Sequence, residues 1–208
     1  MIKIKEKGLQ DYTSTWQEMV SFTENRNSLT EDELWTLEHR SVFTQGLSGK
    51  PEHLLKETKI EVIKSDRGGQ ITYHGPGQLI VYCMIDIKRL GIGVKQMVSI
   101  IEMSIMDILS DYSIKSHKVP GAPGVYVDGS KIAALGLKVK RGKTYHGLSL
   151  NIDMNLAPYD LINPWGYKDL NVTQMSDLTD NKLELDTIKK KLTKYLTKYV
   201  SRTWNKGA

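Results

Sequence analysis

The chain has 208 residues, 39% of them hydrophobic, and 29 Lys and Arg against 24 Asp and Glu give a formal net charge of +5. With a mean hydropathy of -0.37 and a pI near 9.1 it reads as an ordinary water-soluble globule, long enough for one substantial domain over residues 1–208. No apolar run has the length of a membrane helix, and Met1-Ile2-Lys3-Ile4-Lys5 lacks the apolar stretch of a secretory signal, so no membrane association and a cytoplasmic location are expected.

Residues Ile2 to Gly8 read as a short strand. Asp11 then suits the N-cap of a helix carrying Tyr12, Trp16, Met19, Val20 and Thr23 on one face, a stripe that is core by default. After a polar break from Asn25 to Thr30, the run Asp32 to Phe43 predicts a strand with one face buried. Gln45 to Leu55, punctuated by Gly46, Gly49 and Pro51, predicts a loop, of a length that suits a pocket mouth. Leu79 to Ile85 suits a buried strand, and Met97, Ile101, Ile105 and Ile108 mark a helix from Val94 to about Tyr112 that covers one face of the sheet.

The stretch Val119-Pro120-Gly121-Ala122-Pro123-Gly124 cannot be helical. It leads into Val125 to Val127, a turn at Asp128-Gly129 and a run from Lys131 to Val139, and Asp-Gly between two such runs is a strong hairpin signal. A second turn at Arg141-Gly142 leads to Tyr145 to Ile152, so three consecutive antiparallel strands are predicted. Asn155 to Asp180 is irregular, and a closing amphipathic helix runs from Asp186 or Thr187 to Tyr199. Strands and helices that do not alternate strictly predict an α/β domain of the α+β, mixed-sheet kind.

The single cysteine, Cys83, excludes an intrachain disulfide and a cysteine-based zinc site, and five histidines at scattered spacing predict no metal. The positive balance suits an acidic partner, yet no nucleic-acid-binding signature accompanies it, so nucleic acid is not expected. Lys189, Lys190, Lys191, Lys194 and Lys198 read as the solvated face of the last helix or as a docking face for an acidic protein.

The most informative stretch is residues 67–78, Arg-Gly-Gly-Gln-Ile-Thr-Tyr-His-Gly-Pro-Gly-Gln. Glycines that let a backbone approach a ligand, interleaved with Arg, Tyr and His, predict a polar lining held between two strands rather than a core element. Neither a P-loop nor a dinucleotide-binding glycine motif is present. The tetrapeptide Thr72-Tyr73-His74-Gly75 returns as Thr144-Tyr145-His146-Gly147, which reads as two similar hairpin edges or as two strand-loop junctions facing one pocket. Lys131, heading the small-residue strand Ile-Ala-Ala-Leu-Gly, is either simply solvated or poised to set an ammonium over that pocket.

Together, residues 67–78, Gly121 to Val125, Lys131 to Leu137 and Arg141 to Asn151 closely resemble the bacterial lipoyl(octanoyl) transferases, and the likeness runs from about Glu31 to Asp177. The resemblance implies the biotin/lipoate protein ligase-like fold and no cofactor. It implies transfer of an octanoyl group from octanoyl acyl carrier protein, which is acidic, to a lysine on apo lipoyl domains of ketoacid dehydrogenases or on the glycine-cleavage carrier protein. Carried over by motif, Arg67, Gly68, Gly69, Gln70, Ile71, Thr72, Tyr73 and His74, with Ala134, Leu135 and Gly136 and with Gly147, Leu148 and Ser149, line the acyl pocket. Lys131 is then the lysine that activates the family's nucleophilic cysteine, and backbone amides near Leu135 to Leu137 suit the oxyanion.

The family's cysteine sits in an Asn-Pro-Cys-Gly segment, and this chain has Asn163-Pro164-Trp165-Gly166. An indole offers no thiolate, so the acyl-thioester step has no evident residue, and Cys83 in its apolar run is no substitute. Three readings stand: an octanoyltransferase with its covalent step impaired or bypassed, a non-catalytic binder of acyl chains or lipoyl domains, and an ATP-dependent lipoate or biotin protein ligase.

Overall fold

The computed structural model describes residues 2–204. A first strand, β1 (Ile2–Gln10), leads to helix α1 (Tyr12–Asn25), capped as expected by Asp11, whose carboxylate accepts the Ser14 amide at 2.9 Å. Tyr12, Met19 and Thr23 of the predicted stripe are buried, and Trp16 and Val20 pack beside them.

The strand expected from Asp32 to Phe43 is two strands, β2 (Asp32–His39) and β3 (Val42–Gln45), which part at Arg40-Ser41 and enter different sheets. β2 is buried on both faces rather than one, because helices cover both sides of its sheet. The loop from residue 45 to 55 contains a short 3-10 turn, Pro51–His53. After β4 (Val62–Lys64), the stretch read as a pure loop contains a strand of its own, β5 (Ile71–His74), and then comes β6 (Gln78–Met84). Helix α2 (Val94–Asp111) buries Met97, Ile101, Ile105 and Ile108, each worth about 1.5–3 kcal/mol.

An unpredicted edge strand, β7 (His117–Val119), precedes the three predicted strands β8 (Ala122–Val127), β9 (Ser130–Lys140) and β10 (Lys143–Asn151). The closing helix α3 (Leu185–Trp204) starts earlier and ends later than its periodicity suggested.

Seven strands form one mixed sheet in the order β1-β2-β6-β10-β9-β8-β7, with β1 and β2 parallel, and β4-β3-β5 form a second, three-stranded sheet. On β6, Leu79, Val81 and Cys83 face α2 and α3, while Ile80, Tyr82 and Met84 face α1. A strand covered on both faces reads as an unbroken apolar run, which is why residues 79–85 show no alternation. The small sheet packs Phe43, Ile71 and Tyr73 on Tyr159 and Ile162, bringing the irregular stretch after β10 against the same side of the molecule. No described helix is long and apolar enough to cross a membrane.

Candidate active site

Between the two sheets lies a cavity of about 30 Å³, room for one or two waters. Ten of the residues named from the sequence line it: Arg67, Thr72, His74, Ala134, Leu135, Gly136, Gly147, Leu148, Ser149 and Trp165. The ladder explains the meeting of two of these groups, since Ser149, Leu148 and Gly147 of β10 pair with Ala134, Leu135 and Gly136 of β9. Gly147 is required here because a Cβ would stand 2.1 Å from the Val81 carbonyl oxygen.

Others of the named residues lie behind the lining. Alternation along β5 turns Thr72 and His74 to the cavity and sends Ile71 and Tyr73 into the core with Phe43 and Tyr159. Gly68 donates its amide to the Leu137 carbonyl at 3.3 Å, and Gly69 accepts the Ser48 amide at 3.2 Å. Gln70 Oε1 accepts the Lys50 amide at 3.1 Å. These three tie the Arg-Gly-Gly-Gln turn to its neighbours.

Arg67 is buried, and burial lowers its pKa. Its donors are spent within the protein: Nε on Thr44 Oγ1 at 3.0 Å, Nη1 on the Gly68 carbonyl at 2.9 Å, and Nη2 on the Thr44 and Gln70 carbonyls. It is a brace that fixes the turn against β3, not a free anion clamp.

His74 is equally constrained. Gln78 Oε1 accepts from Nδ1 at 2.7 Å, because the Gln78 amide nitrogen is engaged with Tyr73 O, Asn151 Oδ1 and Tyr159 Oη. Nε2 is left to accept from Thr44 Oγ1 at 3.3 Å. Burial, then the neighbouring His39, pushes the His74 pKa down to about 3, so the ring is a neutral wall.

Lys131 is 1% exposed. Its backbone is clamped by the stretch predicted as irregular: its amide donates to Asn171 O at 2.8 Å and its carbonyl accepts from Thr173 at 3.0 Å. Nζ donates to the Pro123 carbonyl at 3.2 Å and lies 4.3 Å from the centre of the Trp165 ring, 5.0 Å from that of Tyr126. Burial pushes its pKa down to about 8, against a smaller opposing pull from Glu102. Of the two readings of Lys131 from the sequence, simple solvation is the one the structure rules out.

Trp165 sits in the 3-10 turn Pro164–Gly166 with φ of 54° and ψ of 20°, a left-handed conformation unusual for a bulky residue and common where a site dictates the backbone. The turn is held by the Asn163 amide on the His53 carbonyl at 2.8 Å and by the Gly166 amide on Asn163 O at 2.9 Å. Cys83 lies in the core among β6 neighbours, and burial pushes its thiol up to about 12, which leaves it inert.

Sequence reasoning missed Tyr12, Ile80, Tyr82 and His146 among the lining residues. Tyr12 stacks on His74 with ring centres 6.1 Å apart and shares a hydrogen bond with Ser65 Oγ at 2.6 Å. His146 donates from Nε2 to Asp66 Oδ1 at 2.9 Å, and Asp66 also accepts from Tyr145 and from Trp16 Nε1. Burial opposes ionisation of Asp66, but these three hydrogen bonds outweigh it and hold the carboxyl down at about 2. The recurring tetrapeptide was the available signal for His146. Its second copy lies inside β10 rather than at a strand-loop junction, but both histidines face the same cavity.

The lipoyl protein ligase A/B catalytic domain matches residues 11–197. An octanoyltransferase of Vesicomyosocius okutanii is 56% identical over 97% of this chain and 98% of its own, and one of Chromobacterium violaceum is 54% identical over 95% of both. Among solved structures, a putative lipoate protein ligase from T. acidophilum with bound lipoic acid superposes with a TM-score of 0.77 at 12% identity, covering 96% of this chain and 85% of that one. A biotin protein ligase from Aquifex aeolicus superposes at 0.62 and 12% identity, covering 98% and 72%. These two establish the shared fold alone. The chain belongs to the lipoyl protein ligase A/B catalytic family, among relatives that are octanoyltransferases.

Proposed function

We propose that the cavity beside Trp165 is the seat of octanoyl transfer in lipoate biosynthesis, from octanoyl acyl carrier protein to the lysine of an apo lipoyl domain. The protein is an acyltransferase of the octanoyltransferase group, whose partners are in general an acyl carrier protein and lipoyl domains. Ketoacid dehydrogenase lipoyl domains and the glycine-cleavage carrier protein are the acceptors we assign. The observation that carries the site is the convergence of Ala134–Gly136, Gly147–Ser149, Arg67, Thr72 and His74 on one cavity lined also by Trp165, against whose ring Lys131 Nζ lies.

In the cysteine-bearing form of this site, a thiolate at position 165 attacks the carrier thioester, releases the carrier thiol and holds the octanoyl group as a new thioester. The acceptor lysine then attacks that carbonyl, forming the amide and returning the thiol. Lys131, with its cation 4.3 Å from the ring at position 165, favours the thiolate by charge. The oxyanion donor we assign is the Leu135 amide. The β8 ladder on β9 ends at Val125 with Ala133, so Leu135 lies on an edge that no strand covers, just before Leu137, whose carbonyl takes the Gly68 amide.

With Trp165 in place the route left is direct attack of the acceptor amine on the carrier thioester: one C–N bond forms, one C–S bond breaks, and the carrier thiol leaves with the proton. That route loses nucleophilic catalysis. A second reading, acyl or lipoyl-domain binding without transfer, is favoured by the indole itself, which walls a cavity too small for an acyl chain until it moves.

Intact mass measurement separates these. The protein and its Trp165→Cys variant are mixed with octanoyl acyl carrier protein, with and without an apo lipoyl domain. The variant is expected to form an octanoyl adduct and to modify the acceptor orders of magnitude faster than the parent, and Lys131→Ala in that background to abolish the gain. Equal rates for parent and variant remove position 165 from the mechanism.

A further inference from the structure

Glu102 is a carboxylate on the buried face of α2, beside Ile101 and Ile105. A charged group there is costly unless it is hydrogen-bonded, so its partners indicate its purpose. Oε1 accepts the Gly124 amide at 3.2 Å, and Oε2 lies 3.8 Å from Nζ of Lys118, an exposed residue of β7. The Gly124 amide is one end of a peptide unit whose other end, the Pro123 carbonyl, takes the Lys131 ammonium, also at 3.2 Å.

In a trans peptide N–H and C=O point in opposite directions, so this unit stands between anion and cation with its N–H toward the first and its C=O toward the second. Both hydrogen bonds are charge-assisted, and each polarises the amide so as to strengthen the other. Gly124 allows the close approach: its φ is 141°, and a Cβ would stand 2.8 Å from the Ala133 carbonyl oxygen and 3.0 Å from Lys131 Cε. Direct pairing would draw the ammonium onto the carboxylate and away from residue 165. With the peptide between them, Nζ stays 4.3 Å from the centre of the Trp165 ring, flanked by the rings of Tyr126 at 5.0 Å and Tyr167 at 5.9 Å. Burial pushes the Lys131 pKa down to about 8, and Glu102 is the charge that opposes it.

We propose that Glu102 is a positioning residue of this site: acting through the Pro123–Gly124 peptide, its carboxylate aims the Lys131 ammonium at residue 165 and sustains its charge. This rests on the reading of Lys131 as the cation that favours a thiolate at position 165.

The first measurement needs no transfer. In the full-length unaltered chain labelled with lysine carrying carbon-13 at Cε, the Lys131 resonance is identified by its absence from Lys131→Met and titrated by NMR. Glu102→Gln keeps an acceptor for the Gly124 amide and removes the charge, so a merely structural role would leave the titration midpoint in place. The expected result is a midpoint lower than the parent's by about one pH unit, a tenfold stronger acid. An unchanged midpoint overturns the proposal. The second measurement is octanoyl adduct formation by Trp165→Cys, with and without Glu102→Gln, across pH. The double variant is expected to be about fivefold slower at pH 8, where a one-unit shift leaves few of its lysines charged, and to match the single variant near pH 6. Equal rates throughout remove Glu102 from the transfer. If Trp165→Cys forms no adduct at all, the transfer reading has failed, and the NMR midpoint alone decides whether Glu102 governs Lys131.

Discussion

The two Thr-Tyr-His-Gly segments are identical in sequence and differ in almost everything else. In the first, regular strand alternation sends Thr72 and His74 to the cavity and Tyr73 to the core, where its hydroxyl meets Ser41 Oγ at 3.0 Å. In the second, His146 has a φ of 60°, and consecutive side chains Tyr145 and His146 both reach Asp66. Thr72 Oγ1 is unpartnered, whereas Thr144 Oγ1 donates to the Cys83 carbonyl at 2.6 Å and accepts the Ile85 amide at 3.1 Å. Partners distant in sequence, not the tetrapeptide, decide which way each side chain faces.

The sharpest way to break the comparison is at its shared last residue. Gly147→Ala drives a methyl group to 2.1 Å from a backbone oxygen of β6, which can move only with the central sheet. A loss on the order of 4 kcal/mol or more is expected in urea unfolding, to the point of failure to fold. Gly75→Ala meets instead the far end of the Tyr73 side chain at 2.4 Å, and about 1 kcal/mol is expected once that ring shifts. Equal losses would mean that the two glycines serve the same purpose.

Between these extremes lies the pH dependence. His74 has a folded pKa of about 3, depressed from the ordinary histidine value of 6.5, so between those values the unfolded chain binds more protons. Stability therefore rises with pH across that window and is lost as pH falls from about 6.5 toward 3. Going from pH 7 to 5 costs roughly 2 kcal/mol through this one group. His74→Gln should reduce the measured loss by about that amount. His146 is lowered by burial in the same direction but pulled back by Asp66, so His146→Gln should flatten the profile less. The same change from both variants would erase the distinction between the two histidines.

The meander of β8, β9 and β10 was legible because Asp128-Gly129 and Arg141-Gly142 announce its turns locally, and the glycine-rich motifs were legible as a lining. What the sequence hid depended on distant partners. Residues 79–85 are apolar throughout, so nothing distinguished Ile80 and Tyr82, which line the cavity, from Leu79 and Val81, which face the helices. Tyr12 was read as core and is buried, yet one face of its ring is cavity wall. Asp66 stands beside Arg67 in the chain but serves His146, 80 residues away. β3 looked like the tail of β2 because only the departure of its pairing partners into a second sheet marks the break.

The turn at Pro164–Gly166 presents residue 165 by its backbone, through a left-handed φ and amides anchored to His53 and Asn163. Neither tryptophan nor cysteine is among the residues that favour a left-handed backbone, so the turn itself selects neither the indole nor the thiol we propose for this position. In the genetic code the tryptophan codon differs from both cysteine codons only at its third base. On the proposed mechanism, gain or loss of the nucleophile is therefore a single transversion that leaves every other residue of the turn in place.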